Sequence, residues 1–131
     1  MNAHELQPLI DTAIAAARLA YAPYSHYHVG AALRAQDGRV FTGCNIENAS
    51  YPATICAERT ALVKAVSEGV RAFDCIVVAT TNAGSPCGIC RQMLFEFAPS
   101  LRLLMVDFEG AVRWDGELNA LLPLGFGPDS L

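Results

Sequence analysis

The sequence predicts an α/β fold: a mixed sheet with helices packed on both faces. Three observations carry that expectation. Strand-like and helix-like segments follow one another as ββαβαβ after an N-terminal amphipathic segment. Cys75-Ile76-Val77-Val78-Ala79 is an unbroken apolar run of strand length, the mark of a strand buried on both faces. Gly and Pro stand at the ends of the helical segments and nowhere inside the apolar run. At 131 residues, with no repeat or linker, the chain reads as a single domain over residues 1–131, long enough to bury about two thirds of its unfolded surface.

From Glu5 to Ala20, Leu6, Leu9, Ile10, Ala13, Ile14 and Ala17 recur at helical spacing, and Pro8 is tolerated because it falls in the first turns. Tyr27–Ala35 and Arg39–Cys44 read as two strands joined by the turn signal Gln36-Asp37-Gly38. A loop over 45–55, broken by Pro52, leads to a helix from Ala57 to Glu68 stopped by Gly69. After the central strand, Gly84-Ser85-Pro86 turns the chain into a helix from Gly88 to Phe97. Arg102–Val106 and Ala111–Trp114 complete five strands, and a short helix ending at Pro123 follows.

Composition narrows the function. The chain is 53% hydrophobic and 17% charged, an apolar balance that suggests surface buried in an oligomer. A net charge of −4 offers no electrostatic footprint for a nucleic acid polymer. No apolar run is long enough to span a bilayer and Met1-Asn2-Ala3-His4-Glu5 is no signal peptide, so a cytoplasmic protein is expected. Five cysteines in such a chain read as thiols or metal ligands rather than disulfides.

The chemistry concentrates in Cys56-Ala57-Glu58 and, 31 positions after Cys56, in Pro86-Cys87-Gly88-Ile89-Cys90. Cys56, Cys87 and Cys90 can fill three corners of a zinc tetrahedron, leaving the fourth for water, as catalytic zinc sites do. Both segments open helices, where free N–H groups favour the thiolate that zinc needs. Three thiolates leave excess negative charge, and Arg59 and Arg91, each next to a motif residue, are the candidate compensating cations. Glu58 is placed to shuttle protons. The C-x-x-C pair alone would also fit a redox dithiol or half of a zinc knuckle, and Glu58 alone a surface carboxylate at a helix start. Cys44 and Cys75 lie in strands and read as apolar fillers; His26 and His28 read as surface or packing residues.

Gly43-Cys44-Asn45-Ile46-Glu47-Asn48-Ala49-Ser50-Tyr51, Cys56-Ala57-Glu58-Arg59-Thr60-Ala61 and Pro86-Cys87-Gly88-Ile89-Cys90-Arg91-Gln92 together resemble the small homotetrameric cytidine deaminases, and the likeness runs from about Tyr24 to Phe126. The wider zinc deaminase class places H-x-E or C-x-E before P-C-x-x-C; base and polynucleotide deaminases usually carry histidine where this chain has Cys56, and the all-cysteine form with an upstream N-x-E is similar to the free-nucleoside branch.

The resemblance implies a three-layer αβα cytidine deaminase-like fold, one Zn²⁺ per subunit on Cys56, Cys87 and Cys90, and Glu58 as the proton shuttle. It implies that Asn45 and Glu47 bind the ribose 3′-hydroxyl and that the Ala57 N–H meets the pyrimidine O2. Ala49 and Tyr51 would reach the ribose 5′ end in a neighbouring subunit, and Phe126 would cover the base in an adjacent one. Tyr27 stands where the family usually places phenylalanine; its ring can still stack on the base, but its hydroxyl needs a partner.

The implied reaction is hydrolytic deamination of cytidine and 2′-deoxycytidine, a step of pyrimidine salvage in which a zinc-activated water attacks C4 and Glu58 moves the protons. Two other readings remain open: deamination of another aminopyrimidine nucleoside, and a non-catalytic structural zinc module.

Overall fold

The computed structural model describes all 131 residues. Five strands, β1 (Gly30–Ala35), β2 (Val40–Cys44), β3 (Phe73–Ala79), β4 (Arg102–Val106) and β5 (Val112–Glu117), form one sheet in the order β2-β1-β3-β4-β5. The sheet is mixed: β3 runs antiparallel to β1 and parallel to β4, and the other pairs are antiparallel.

Helix α1 (Ala3–Ala17) covers one face; α2 (Ala57–Ser67) and α3 (Gly88–Phe97) cover the other. The two-residue period of β3 sorts its side chains between them. Cys75, Val77 and Ala79 pack with Leu9, Ile10 and Ala13 of α1. Ile76 and Val78 pack with Ala61, Leu62 and Leu94 of α2 and α3. The apolar run is therefore continuous because both of its faces are covered.

Local differences from the sequence expectation have local causes. Helix α1 starts earlier, at Ala3, because Asn2 caps it by accepting from the Glu5 N–H at 3.1 Å. It stops at Ala17 rather than Ala20, because the chain is drawn into a bridge. The Tyr21 N–H donates to the Asn45 carbonyl at 3.0 Å, and the Tyr21 carbonyl accepts from the Glu47 N–H at 2.8 Å.

Strand β1 begins at Gly30, not Tyr27, since one side chain satisfies the backbone before it. The Asn45 amide donates to the Tyr27 carbonyl at 2.7 Å and accepts from the Val29 N–H at 2.9 Å. Strand β5 extends to Glu117 instead of ending at Trp114. It is an exposed edge held by Arg102, which bridges to Asp115 at 2.9 and 2.7 Å, so its polar residues masked its strand character. The tail helix is a short 3₁₀ turn, Leu118–Leu121.

Candidate active site

Helices α2 and α3 start at the same end of the sheet, and the cysteines sit at those starts. Cys56 is the N-cap of α2, Cys87 the N-cap of α3, and Cys90 lies in the first turn of α3. The start of α2 is pinned to β2. Thr60 Oγ1 donates to the Cys44 carbonyl at 3.1 Å, and Gly43 lets the helix backbone settle directly on the strand. A Cβ at Gly43 would collide with the Ala57 carbonyl and lie 2.6 Å from the Ala61 nitrogen.

The sulfurs of Cys56, Cys87 and Cys90 all lie within 4.8 Å of one another. Cys56 and Cys87 are 3.8 Å apart, and Cys87 and Cys90 3.4 Å. Zn–S bonds of ~2.3 Å at tetrahedral angles put sulfurs ~3.8 Å apart, so the donor set fits zinc in spacing as well as in softness.

The Cys56 thiol is driven down to about 5 by the hydrogen bond from Cys90 and by Arg59, which favours the thiolate; Cys90, as the partner that keeps its proton, is driven up. Arg59 Nη2 lies 3.3 Å from Cys56 Sγ and 3.4 Å from the Thr54 carbonyl, while its buried Nε has no partner. Arg91 makes no hydrogen bond to the sulfurs. Its guanidinium instead ties the Pro86 carbonyl (2.8 Å), the Leu121 carbonyl (2.8 Å) and Ser85 Oγ (2.6 Å) together, bracing the segment before Cys87.

Glu58 is 3% exposed. Burial raises its carboxyl to about 7, and the negative Cys56 sulfur adds to the rise. A carboxyl poised there both accepts and returns a proton near neutral pH.

Glu58, Cys56 and Cys87 share a cavity of about 270 Å³ with Tyr27, Asn45 and Glu47. Asn45 is buried and holds the Tyr27–Val29 backbone through one amide hydrogen and one lone pair of its carbonyl oxygen, which leaves a second hydrogen and lone pair. The Glu47 carboxylate accepts from the N–H groups of Tyr24 (2.9 Å) and Ser25 (3.2 Å) and from the Ser25 hydroxyl. Ala57 is the first residue of α2, where a backbone N–H has no carbonyl of its own helix to meet.

Three residues that the family resemblance assigns to substrate binding lie elsewhere. Ala49, Tyr51 and Phe126 are exposed and do not line this cavity; Tyr51 is 72% and Phe126 59% exposed. The Phe126 backbone is anchored by Gln92 Nε2, which donates to its carbonyl at 2.8 Å. His26 and His28 take no part in the sulfur cluster. Cys75 is buried in β3 with its thiol pushed up to about 11, and Cys44 closes β2 half-buried.

Reasoning from sequence missed Ser25, Thr80, Asn82 and Gly84. The Tyr27 hydroxyl, for which the sequence names no partner, donates to Asn82 Oδ1 at 2.6 Å; Thr80 Oγ1 meets the same oxygen at 3.2 Å and accepts from the Gly84 N–H at 2.6 Å. The only signal for Thr80, Asn82 and Gly84 was the small, polar Thr80-Thr81-Asn82-Ala83-Gly84 run before the cysteine motif.

Residues 3–105 match the family model described as the cytidine and deoxycytidylate deaminase zinc-binding region. The chain belongs to this zinc-dependent deaminase family. Zinc is the family's metal, and the three sulfurs are what this chain offers it, for one ion per chain. Among its relatives, the cytidine deaminase of Sporosarcina psychrophila is 43% identical over 130 residues, covering 97% of this chain and 95% of that one. The cytidine deaminase of Halalkalibacterium halodurans is 44% identical over 95% and 96% of the two chains. The crystal structure of cytidine deaminase from Burkholderia pseudomallei superposes with a TM-score of 0.88 at 46% identity, covering 96% of this chain and 100% of that one. The deaminase fold, with its mixed five-stranded sheet between two helical layers, is thus shared in full.

Proposed function

We propose that this chain catalyses the hydrolytic deamination of cytidine and 2′-deoxycytidine to uridine and 2′-deoxyuridine, with release of ammonia, in pyrimidine salvage. The observation that carries this reading is one cavity holding a buried carboxyl, raised to about 7, beside three sulfurs spaced for zinc. What bound zinc supplies is Lewis acidity that makes water a nucleophile at neutral pH.

The residues of the chain do the rest. Glu58 accepts a proton from the attacking water and passes it to ring N3, leaving C4 electron-poor. A C–O bond forms at C4. Glu58 then takes the proton of the new C4 hydroxyl and gives it to the exocyclic amine; the C4–N bond breaks, ammonia departs, and the C4 carbonyl of the product is left. Burial raises the carboxyl so that it both takes and returns protons near neutral pH, and it limits loss of the proton to bulk water between steps.

The remaining donors and acceptors suit a nucleoside. In this reading the free amide hydrogen of Asn45 and the carboxylate of Glu47 bind the ribose 3′-hydroxyl, the Ala57 N–H binds O2, and the Tyr27 ring stacks on the base; that Tyr27, Asn45 and Glu47 line one cavity with Glu58 supports it. Exposed Ala49, Tyr51 and Phe126 complete the sites of neighbouring subunits in a homotetramer. That assembly is supported by the low charged fraction and by an apolar groove formed by Leu62, Val63, Val66, Met93 and Phe97 on the α2/α3 face. Residues 1–131 work as one domain, in the cytoplasm. No helix is long and apolar enough to cross a membrane.

The test is the loss of ultraviolet absorbance when zinc-loaded protein meets cytidine, deoxycytidine and free cytosine in parallel. Loss with both nucleosides and none with the base is the expected result. No loss with any of them would turn the reading toward a different aminopyrimidine or a structural zinc module.

A further inference from the structure

We infer that Tyr27 is a positioning residue whose hydroxyl, through Asn82, fixes the loop that delivers Cys87 to the metal centre. Only the kinetic consequences of this role rest on the deaminase reading. The loop leaves β3 at Ala79 and reaches the N-cap of α3 eight residues later, with no regular structure between.

Two braces hold this loop. At its far end Arg91 grips Ser85 and Pro86. Its near end is held by the Tyr27 hydroxyl, which donates to Asn82 Oδ1 at 2.6 Å from outside the loop; Thr80 then meets Asn82 at 3.2 Å and the Gly84 N–H at 2.6 Å. The strain inside the segment shows that it needs holding. Ala83, a non-glycine residue, sits in the left-handed region at φ 53° and is almost wholly buried.

The same hydroxyl also sets the shape of the loop. A Cβ at Gly84 would collide with Tyr27 Oη and press, at 3.3 Å, on Asn82 Oδ1, the atom that Tyr27 holds, while Thr80 Oγ1 at 3.5 Å is in ordinary contact. The φ of Gly84 lies outside the left-handed region, so the backbone itself accepts alanine. Gly84 is therefore required first by Tyr27 and, less sharply, by the Asn82 oxygen bound to it. A chain with phenylalanine at position 27 would lack both the tether and the obstruction.

The experiment is a pair of double-mutant cycles on the full-length protein, read by thermal unfolding, by the absorption bands of the cobalt(II)-substituted protein, and by kcat and KM for cytidine. Gly84→Ala in the Tyr27 background should lower Tm by about 4 °C. It should also perturb the cobalt bands and reduce kcat/KM by about 10- to 100-fold. Combining it with Tyr27→Phe should remove most of those losses.

Asn82→Ala, which introduces no clash, should resemble Tyr27→Phe. Both should lower kcat with KM within about twofold, and the two together should do no more than the stronger alone. Additive losses in either cycle would overturn the proposal, as would a Gly84→Ala protein with unaltered Tm and cobalt bands. The thermal and cobalt measurements decide the matter even if the wild-type protein deaminates no nucleoside, so the two readings fail separately.

Discussion

Arg59 Nη2 lies 3.3 Å from Cys56 Sγ, one helical turn further along α2. The guanidinium is the cation nearest the three sulfurs, and it is what a trithiolate site needs to avoid building up negative charge. Arg59→Gln should raise the Cys56 thiol and weaken zinc binding by about 10- to 100-fold, as loss of an outer partner of a ligand does elsewhere. Competition with a chromophoric chelator measures this. Unchanged affinity would remove Arg59 from the account of the site.

Glu58→Gln should keep the fold and a full complement of zinc while losing about 10²- to 10⁴-fold in turnover. The amide fills the same buried space but cannot accept and return a proton. Metal analysis beside steady-state kinetics separates this outcome from general damage; near-normal turnover would show that another group moves the proton.

Cys87→Ala removes the ligand at the α3 N-cap and should release the metal. Because the ion joins two helix starts, its loss should also lower Tm. Adding a chelator to the wild-type protein should reproduce most of that shift but leave the variant unaffected.

The starts of α2 and α3, the central strand and the cysteine cluster were legible in the sequence, because each rests on a local pattern. Glu58 stood out by its spacing from Cys56, though its burial did not. What stayed hidden was set by side chains serving as backbone partners. Asn45 replaces a strand ladder at Tyr27 and Val29, Glu47 gathers the N–H groups of Tyr24 and Ser25, and Asn82 receives the Tyr27 hydroxyl. Those pairings span 16 to 55 positions and leave no periodic trace. Arg91 misled for the same reason: standing next to Cys90, it turns toward carbonyls at Pro86 and Leu121.

Cys75 provides a pH test away from the site. Burial holds its thiol near 11, whereas in the unfolded chain it titrates at about 9. The folded state therefore keeps a proton that the unfolded state gives up, so this group's contribution is whole below about pH 9 and is lost as pH rises toward about 11. Stability should fall more steeply across that window in the wild type than in Cys75→Ala. Parallel slopes in urea titrations at pH 8 and 10.5 would show that the thiol is not sequestered.

Gly43→Ala should disturb the metal site from the far side of α2. The added methyl meets the Ala57 carbonyl, so either the helix lifts from β2 or the strand shifts, a cost of about 1–3 kcal/mol. Since Cys56 caps that helix, zinc affinity should drop together with Tm. A variant that lost stability alone would mean that the helix start is held independently of the strand beneath it.

Cys56 and Cys87 lie on opposite sides of β3 in the sequence, and β3 is the middle strand of the sheet. The arrangement links the metal centre to the middle of the sheet. The folded spacing of the sulfurs depends on β3 lying beside β1, because β3 and the loop after it carry α3 to the same face as α2. A metal held by all three sulfurs would therefore act as a clasp across the centre of the sheet, and the work of pulling β3 away from β1 would include the work of opening it.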